Sequence, residues 1–308
     1  MEKFDYDLII IGGGPAGLTG GIYAARGRLK TLLIEKMILG GQIINSEKIE
    51  NYPGFPEGIS GIELAKRMED QAKLFGLNTE IGDVHKIDKK NRIIKVFTDI
   101  GEITSKAVLV ATGSFSNKLG VEGEERLIGK GISFCATCDG FFFRDKEVVV
   151  VGGGNRAVQE ALFLTRFCSK IYVVHRRDRL RATKILQEKL LSHPKIEVLW
   201  DCVVQKIIGE KKVEVVEIKN LKKEEVFSLK VEGVLIFVGM KPNTDFLNGF
   251  VELNEAGFIK TNENMETSVK GIFAAGDVRS KLLRQVSSAV GDGAVACFAA
   301  EKYIEESV

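Results

Sequence analysis

One short pattern occurs twice and limits what this chain can become. Tyr6-Asp-Leu-Ile-Ile-Ile11 runs into Gly12-Gly-Gly-Pro-Ala-Gly17, then an Ala-rich helical stretch from Gly17 to about Arg28, then Thr31-Leu-Leu-Ile-Glu35. Much later Glu147-Val-Val-Val-Val151 runs into Gly152-Gly-Gly-Asn-Arg-Ala157, a helical stretch to about Phe167, and Ile171-Tyr-Val-Val174. Near-continuous apolar runs mark strands buried on both faces, as parallel sheets require. Glycines between such a strand and a helix let the backbone approach a pyrophosphate, which the helix N-terminus attracts. In both copies 21 residues separate the middle glycine from the strand-end residue, Gly14 to Glu35 and Gly154 to His175. Each copy is followed by another matched run, Val108-Leu-Val-Ala-Thr-Gly113 and Val234-Leu-Ile-Phe-Val-Gly239. The chain therefore reads as α/β, with two Rossmann-like dinucleotide-binding domains, the second inserted into the first.

The expected boundaries are 1–115 with 244–308 for one domain and 116–243 for the other, because the run Gly271-Ile-Phe-Ala-Ala-Gly276 and the closing helix suit the first sheet better than a third domain. A chain of 308 residues has room for two domains of ordinary size. With Lys+Arg 44 against Asp+Glu 42, the net charge of +2 offers no surplus for a nucleic-acid partner. No apolar run is long enough to span a bilayer, and the charged start does not resemble a signal peptide. Five cysteines are too few for a secreted disulfide framework, so a cytoplasmic location is expected.

The two loops differ where they would meet a ribose. Gly12, Gly14 and Gly17 with Glu35 make the full fingerprint, the carboxylate suiting ribose hydroxyls. Gly152 and Gly154 are followed by Ala157, still small enough for close helix packing. At the second strand end stand His175, Arg176 and Arg177, with Arg181 beyond. Arginines there attract a 2′-phosphate that a carboxylate would repel, which favours NADPH over NADH; the plainer alternative is a solvated basic turn. Arg156, beside the second loop, either adds a contact to phosphate or crowds it.

Cys135-Ala-Thr-Cys138-Asp139-Gly140 carries the remaining chemistry. Two cysteines three residues apart can close a small disulfide ring, and in a chain of this type that spacing suggests redox work. Zinc is the rival, but Cys168, Cys202 and Cys297 are scattered singly and there are only three histidines, so no metal is expected. Asp139 is either a proton donor to a leaving thiolate or an ordinary turn residue.

Taken together, these motifs, with Gly40-Gly-Gln42, Ala111-Thr-Gly113, His175-Arg-Arg-Asp178, Gly276-Asp-Val278 and Arg284-Gln285, resemble the low-molecular-weight bacterial-type thioredoxin reductases over the full length. The resemblance implies FAD on the first loop, with Glu35 on the adenosine ribose, Asp277 on the ribityl chain and Gln42 and Gln285 near the flavin; Gly41, Gly113, Gly276 and Arg284 belong to the same site. It implies NADPH on the second loop, with Arg176, Arg177 and Arg181 around the 2′-phosphate. It further implies that Cys138 faces the flavin, that Cys135 attacks the disulfide of thioredoxin, and that Asp139 is the general acid–base. Phe141 and Phe142 resemble the apolar surface that meets thioredoxin. Similar enzymes are homodimers that rotate the nicotinamide domain, here about segments near 114–118 and 242–246. Arg156 departs from the family, which more often has Ser or Thr there. The nearest rival readings keep flavin and disulfide but change the partner or take electrons from ferredoxin; the arginines at 176, 177 and 181 argue against the latter. A non-catalytic flavin sensor or an RNA-modifying scaffold has no use for a cysteine pair beside a second complete loop.

Overall fold

The computed structural model describes residues 4–46 and 48–306. Its packing divides the chain into Met1–Phe115 with Lys241–Val308, and Ser116–Met240. In the first unit β1 (Tyr6–Ile11), α1 (Pro15–Arg26) and β2 (Thr31–Glu35) form a parallel βαβ turn. Helix α1 begins at Pro15, two residues ahead of the start read from sequence. Proline explains the difference, since its φ is preset for a helix and it has no N–H to leave unpaired in the first turn.

The chain continues through α2 (Gly61–Leu74), β3 (Asn78–Ile81), β4 (Val84–Lys90), β5 (Ile93–Thr98), β6 (Gly101–Val110) and β7 (Ser114–Ser116). Strands pair in the order β3-β2-β1-β6-β5-β4. Strands β1, β2, β3 and the inner half of β6 run parallel, whereas β4, β5 and the outer half of β6 form an antiparallel meander. Leu8 and Ile10 enter one core while Ile9 and Ile11 enter another on the opposite face, which is why the strand is apolar at every position.

The second unit repeats the plan. It contains α3 (Glu124–Leu127), β8 (Ile132–Ser133), α4 (Ala136–Asp139), β9 (Glu147–Val151), α5 (Asn155–Leu164), β10 (Lys170–His175), α6 (Lys184–Leu191) and β11 (Ile196–Trp200). An antiparallel meander follows, β12 (Cys202–Ile208), β13 (Val215–Asn220) and β14 (Val226–Lys230), and then β15 (Gly233–Ile236). The main sheet has the order β11-β10-β9-β15-β8, with every pairing parallel. Again the strand residues alternate between two cores, Val148 and Val150 on one side and Val149 and Val151 on the other.

Beyond β16 (Met240–Pro242), β17 (Ile272–Ala274) pairs in parallel with β6, placing Phe273 opposite Leu109. Helix α7 (Val286–Glu306) then packs on α1 so closely that a Cβ on Gly293 would come within 2.2 Å of the Ala16 carbonyl oxygen. Among the described residues, no helix is long and apolar enough to cross a membrane.

Candidate active site: two glycine loops and a cysteine pair

The first loop is built around close backbone approach. Gly12 has φ +103°, and a Cβ there would lie 2.5 Å from the Ala111 carbonyl oxygen. A Cβ on Gly17 would lie 1.9 Å from the Gly12 carbonyl oxygen. These two glycines are therefore fixed by the protein's own packing. Gly14 is different: the nearest atom to a Cβ there is 3.9 Å away, the Cα of Gly41. Two glycines thus face each other over the start of α1, whose first amides have no side-chain cap. That open cradle fits a pyrophosphate. Glu35, at the end of β2, accepts from Gly13 N at 2.7 Å and Met37 N at 3.0 Å, one bond per carboxylate oxygen, which leaves further lone pairs for ribose hydroxyls.

Around this cradle, Gly40 donates its N–H to the Gly13 carbonyl, and exposed Gln42 follows. Gly113 is tied down because its carbonyl accepts from Asn243 N, while the Asn243 amide group donates to the Thr112 carbonyl. Gly276 and Asp277 sit on a turn held by buried Asp292, which accepts from Gly276 N, Arg279 and Lys281. Removing one partner from such a buried charged cluster leaves an uncompensated charge, so this turn has little freedom. Arg284 lies 4.1 Å over the Phe258 ring and donates to the Arg279 and Lys281 carbonyls. Gln285 accepts from Asn51.

The second loop has a matching open position at Gly154, with nothing within 4 Å of a built Cβ, at the uncapped start of α5. A Cβ on Gly152 would meet that of Ala157 at 2.6 Å, so Ala157 packs where the third glycine would. Arg181 is brought to the loop by its backbone, its N–H donating to the Gly153 carbonyl at 2.7 Å. Arg176, Arg177 and Arg181 are exposed. His175, by contrast, is buried, with its ring directly beneath Gly153 and Nε2 2.9 Å from the Arg179 carbonyl oxygen. Burial, together with the charges of Arg181 and Arg177, lowers its pKa, so it serves the loop as a neutral ring. The Arg156 guanidinium lies over the Phe237 ring at 5.4 Å and donates to the Phe134 carbonyl at 2.9 Å.

Cys135 and Cys138 are joined in a disulfide with their Cα atoms 5.3 Å apart. Their segment folds into the single turn α4, which Cys135 caps, its Sγ accepting from Cys138 N at 3.2 Å. Asp139 ends this turn. Burial raises its pKa, and the 2.5 Å hydrogen bond donated by Ser133 only partly counters that. The Ser133 hydroxyl also accepts from Cys135 N at 3.0 Å, so one side chain ties the cysteine to the carboxyl. Ser133 has no motif signature; its spacing six residues before Asp139 becomes meaningful only once β8 leads directly into α4. Phe141 and Phe142 are exposed beside the pair, whereas Phe143 is buried. Cys168, Cys202 and Cys297 are buried thiols, and burial pushes Cys168 up to about 11 and Cys297 to about 12, well away from thiolate chemistry.

Two sheets whose central strands run parallel, each offering an open glycine loop, the second in the same unit as a disulfide-bonded cysteine pair, define a nucleotide-dependent disulfide oxidoreductase. Over residues 6–293 the chain matches the pyridine nucleotide-disulphide oxidoreductase family, and it belongs to that family. It is 46% identical over 308 residues to the thioredoxin reductase of Bacillus subtilis (strain 168), covering 99% of this chain and 96% of that one. The thioredoxin reductase of Peptoclostridium litorale is 45% identical over 307 residues, covering 98% of each. Among solved structures, thioredoxin reductase from Streptococcus pyogenes MGAS5005 aligns with a TM-score of 0.94 at 46% identity, over 98% of both chains. The α/β fold with two Rossmann-like domains is shared with these proteins.

Proposed function

We propose that this chain acts as a thioredoxin reductase, with Cys135, Cys138 and Asp139 dividing the disulfide chemistry among them. It is a flavoprotein oxidoreductase that passes electrons from NADPH through FAD and the Cys135–Cys138 pair to the disulfide of thioredoxin. The observation that carries this reading is the Cys135–Cys138 disulfide with buried Asp139 at the end of the same turn. In this reading the unit 1–115 with 241–308 binds FAD and the unit 116–240 binds NADPH. Gly12, Gly14, Gly17, Glu35, Gly41, Gln42, Gly113, Gly276, Asp277, Arg284 and Gln285 serve FAD. Gly152, Gly154, Ala157, Arg176, Arg177 and Arg181 serve NADPH, with His175 supporting the loop from below. The enzyme works in the cytoplasm as a homodimer, which requires a sedimentation mass of two chains.

When bound, the two cofactors supply a hydride and then the electron pair that splits the Cys135–Cys138 bond into two thiols. The remaining steps belong to the protein. Cys135, as thiolate, attacks one sulfur of the thioredoxin disulfide and forms a mixed disulfide. Cys138 then attacks the Cys135 sulfur, which restores the internal disulfide and releases thioredoxin as a dithiol. Asp139 holds the proton that a departing thiolate needs, and burial keeps that proton bound to a higher pH than an ordinary carboxyl would.

Turnover is therefore expected to fall as pH rises through the raised pKa of Asp139, because the donor form is lost. Asp139→Asn should lower thioredoxin turnover by about 10²–10³-fold and remove that limb of the pH profile. A pH profile unchanged in shape would argue against the proton-donor role. Arg176→Ala with Arg177→Ala should raise the KM for NADPH by about 10²-fold, taking roughly 1–2 kcal/mol for each partly screened contact to phosphate. The KM for NADH should move little. Equal effects on both nucleotides would remove the phosphate site.

A further inference from the structure

Ser133 is the last residue of β8, paired opposite Leu235 of β15, and it is buried. A serine hydroxyl has one hydrogen and two lone pairs to place. Here Oγ accepts from Cys135 N at 3.0 Å, and two acceptors stand around its hydrogen: Asp139 Oδ2 at 2.5 Å and the Cys135 carbonyl oxygen at 3.2 Å. The shorter contact has the length of a hydroxyl bonded to a charged carboxylate, so the hydrogen goes to Asp139 whenever that group is ionised. Among the described residues, Ser133 is the one side chain that hydrogen-bonds the Asp139 carboxyl. The turn α4 itself is closed without it, by Asp139 N donating to the Cys135 carbonyl at 3.1 Å and Cys138 N to the Cys135 Sγ at 3.2 Å. The hydroxyl therefore serves the carboxyl more than it serves the turn.

We propose that Ser133 is a positioning residue whose hydroxyl holds Oδ2 of Asp139 and so keeps the acid proton on Oδ1. When that proton passes to a departing thiolate, the O–H bond at Oδ1 breaks and an S–H bond forms. The charge left on the carboxylate is then met at Oδ2 by the Ser133 hydroxyl. Without such a donor the half-buried carboxylate is a less stable product, and Asp139 is a weaker acid. This role rests on the disulfide-reductase reading, in which Asp139 is the proton donor. The charged residues on the elements packed against α4 are Arg156 and Glu160 on α5 and, beyond the turn Gly140–Phe143, Arg144, Asp145 and Lys146. Arg156 donates to the Phe134 carbonyl, Lys146 donates to the Phe142 carbonyl, and Arg144 lies over the Phe141 ring. None of these charges sets the ionisation of Asp139: burial raises its pKa, and the bond from Ser133 opposes that.

The test uses the oxidised, flavin-loaded full-length protein, isotope-labelled at its aspartate carboxyls and titrated by carbon NMR. The Asp139 resonance is the one lost in Asp139→Asn. Ser133→Thr and Ser133→Val share one shape and differ in the hydroxyl, so a packing effect falls on both alike. Ser133→Val should raise the titration midpoint of Asp139 by about one pH unit, and Ser133→Thr should keep it near wild type. In turnover with thioredoxin, the valine variant should lose about 10-fold in plateau kcat, and its alkaline limb should move up with the carboxyl midpoint. Ser133→Ala replaces the valine variant if the latter fails to hold flavin, with the same expected direction. Equal midpoints in all three proteins, or equal shifts in the threonine and valine variants, overturn the proposal and leave the donor role of Asp139 standing. A midpoint that moves while the alkaline limb stays in place overturns the donor role itself, and the proposal with it.

Discussion

Serine in place of Cys135 is expected to cut thioredoxin turnover by about 10³-fold or more while leaving reduction of the flavin by NADPH intact. The size follows from the chemistry. A serine hydroxyl is not ionised near neutral pH and cannot form a mixed disulfide, so no detour through Cys138 replaces the lost bond. Selectivity follows from the placement of the residue. Cys135 caps α4 with its sulfur, a contact that the serine hydroxyl can also make to Cys138 N, so the turn should survive. Stopped-flow bleaching of the flavin by NADPH, set beside steady-state thioredoxin reduction, reads the two halves separately. Loss of both would mean that Cys135 supports the cofactor sites, and the proposed division of labour would be wrong.

Gly17→Ala should be strongly damaging for a change of a single methyl group. Its Cβ would sit 1.9 Å from the Gly12 carbonyl oxygen. Gly12 cannot retreat, because its own N–H is bonded to the Ile34 carbonyl and the Ala111 carbonyl presses on its open side. Helix α1 must therefore lift off β1. We expect a loss of about 2–4 kcal/mol in apoprotein stability and colourless protein after purification, since the displaced α1 amides no longer converge on the pyrophosphate. Gly14→Ala provides the contrast: with nothing nearer than 3.9 Å, the apoprotein should melt as wild type and still bind flavin weakly. Apoprotein melting temperature and the flavin-to-protein absorbance ratio distinguish the two variants. A yellow Gly17→Ala protein with wild-type melting would contradict the packing account.

Elements buried on both faces were legible in the sequence for a physical reason. Strands such as β1 and β9 must be apolar at every position, and the glycines that follow them have no substitute at Gly12, Gly17 and Gly152. The meanders β4–β6 and β12–β14 carried a weaker signal, because strands with one wet face mix lysines and glutamates among their apolar residues. Helix α1 began earlier than its glycine suggested because Pro15 sets the first turn. At the site, the cysteine pair and the glycine loops were local in sequence and so could be read. Ser133 reaches Asp139 from the strand before it, and Arg156 donates to the Phe134 carbonyl. Spacing carries no trace of such contacts; they follow from where β8 ends and α5 begins.

The central claim is that electrons run from NADPH through flavin and the Cys135–Cys138 pair to a partner disulfide. Anaerobic titration of the flavin-loaded protein with NADPH, and separately with NADH, followed by addition of oxidised thioredoxin, tests it most directly. The account predicts bleaching of the flavin at far lower NADPH than NADH, uptake of two further electrons by the cysteine pair, and recovery of the yellow colour when thioredoxin is added. A flavin that neither nucleotide reduces, or one that thioredoxin fails to reoxidise after complete reduction, would contradict it.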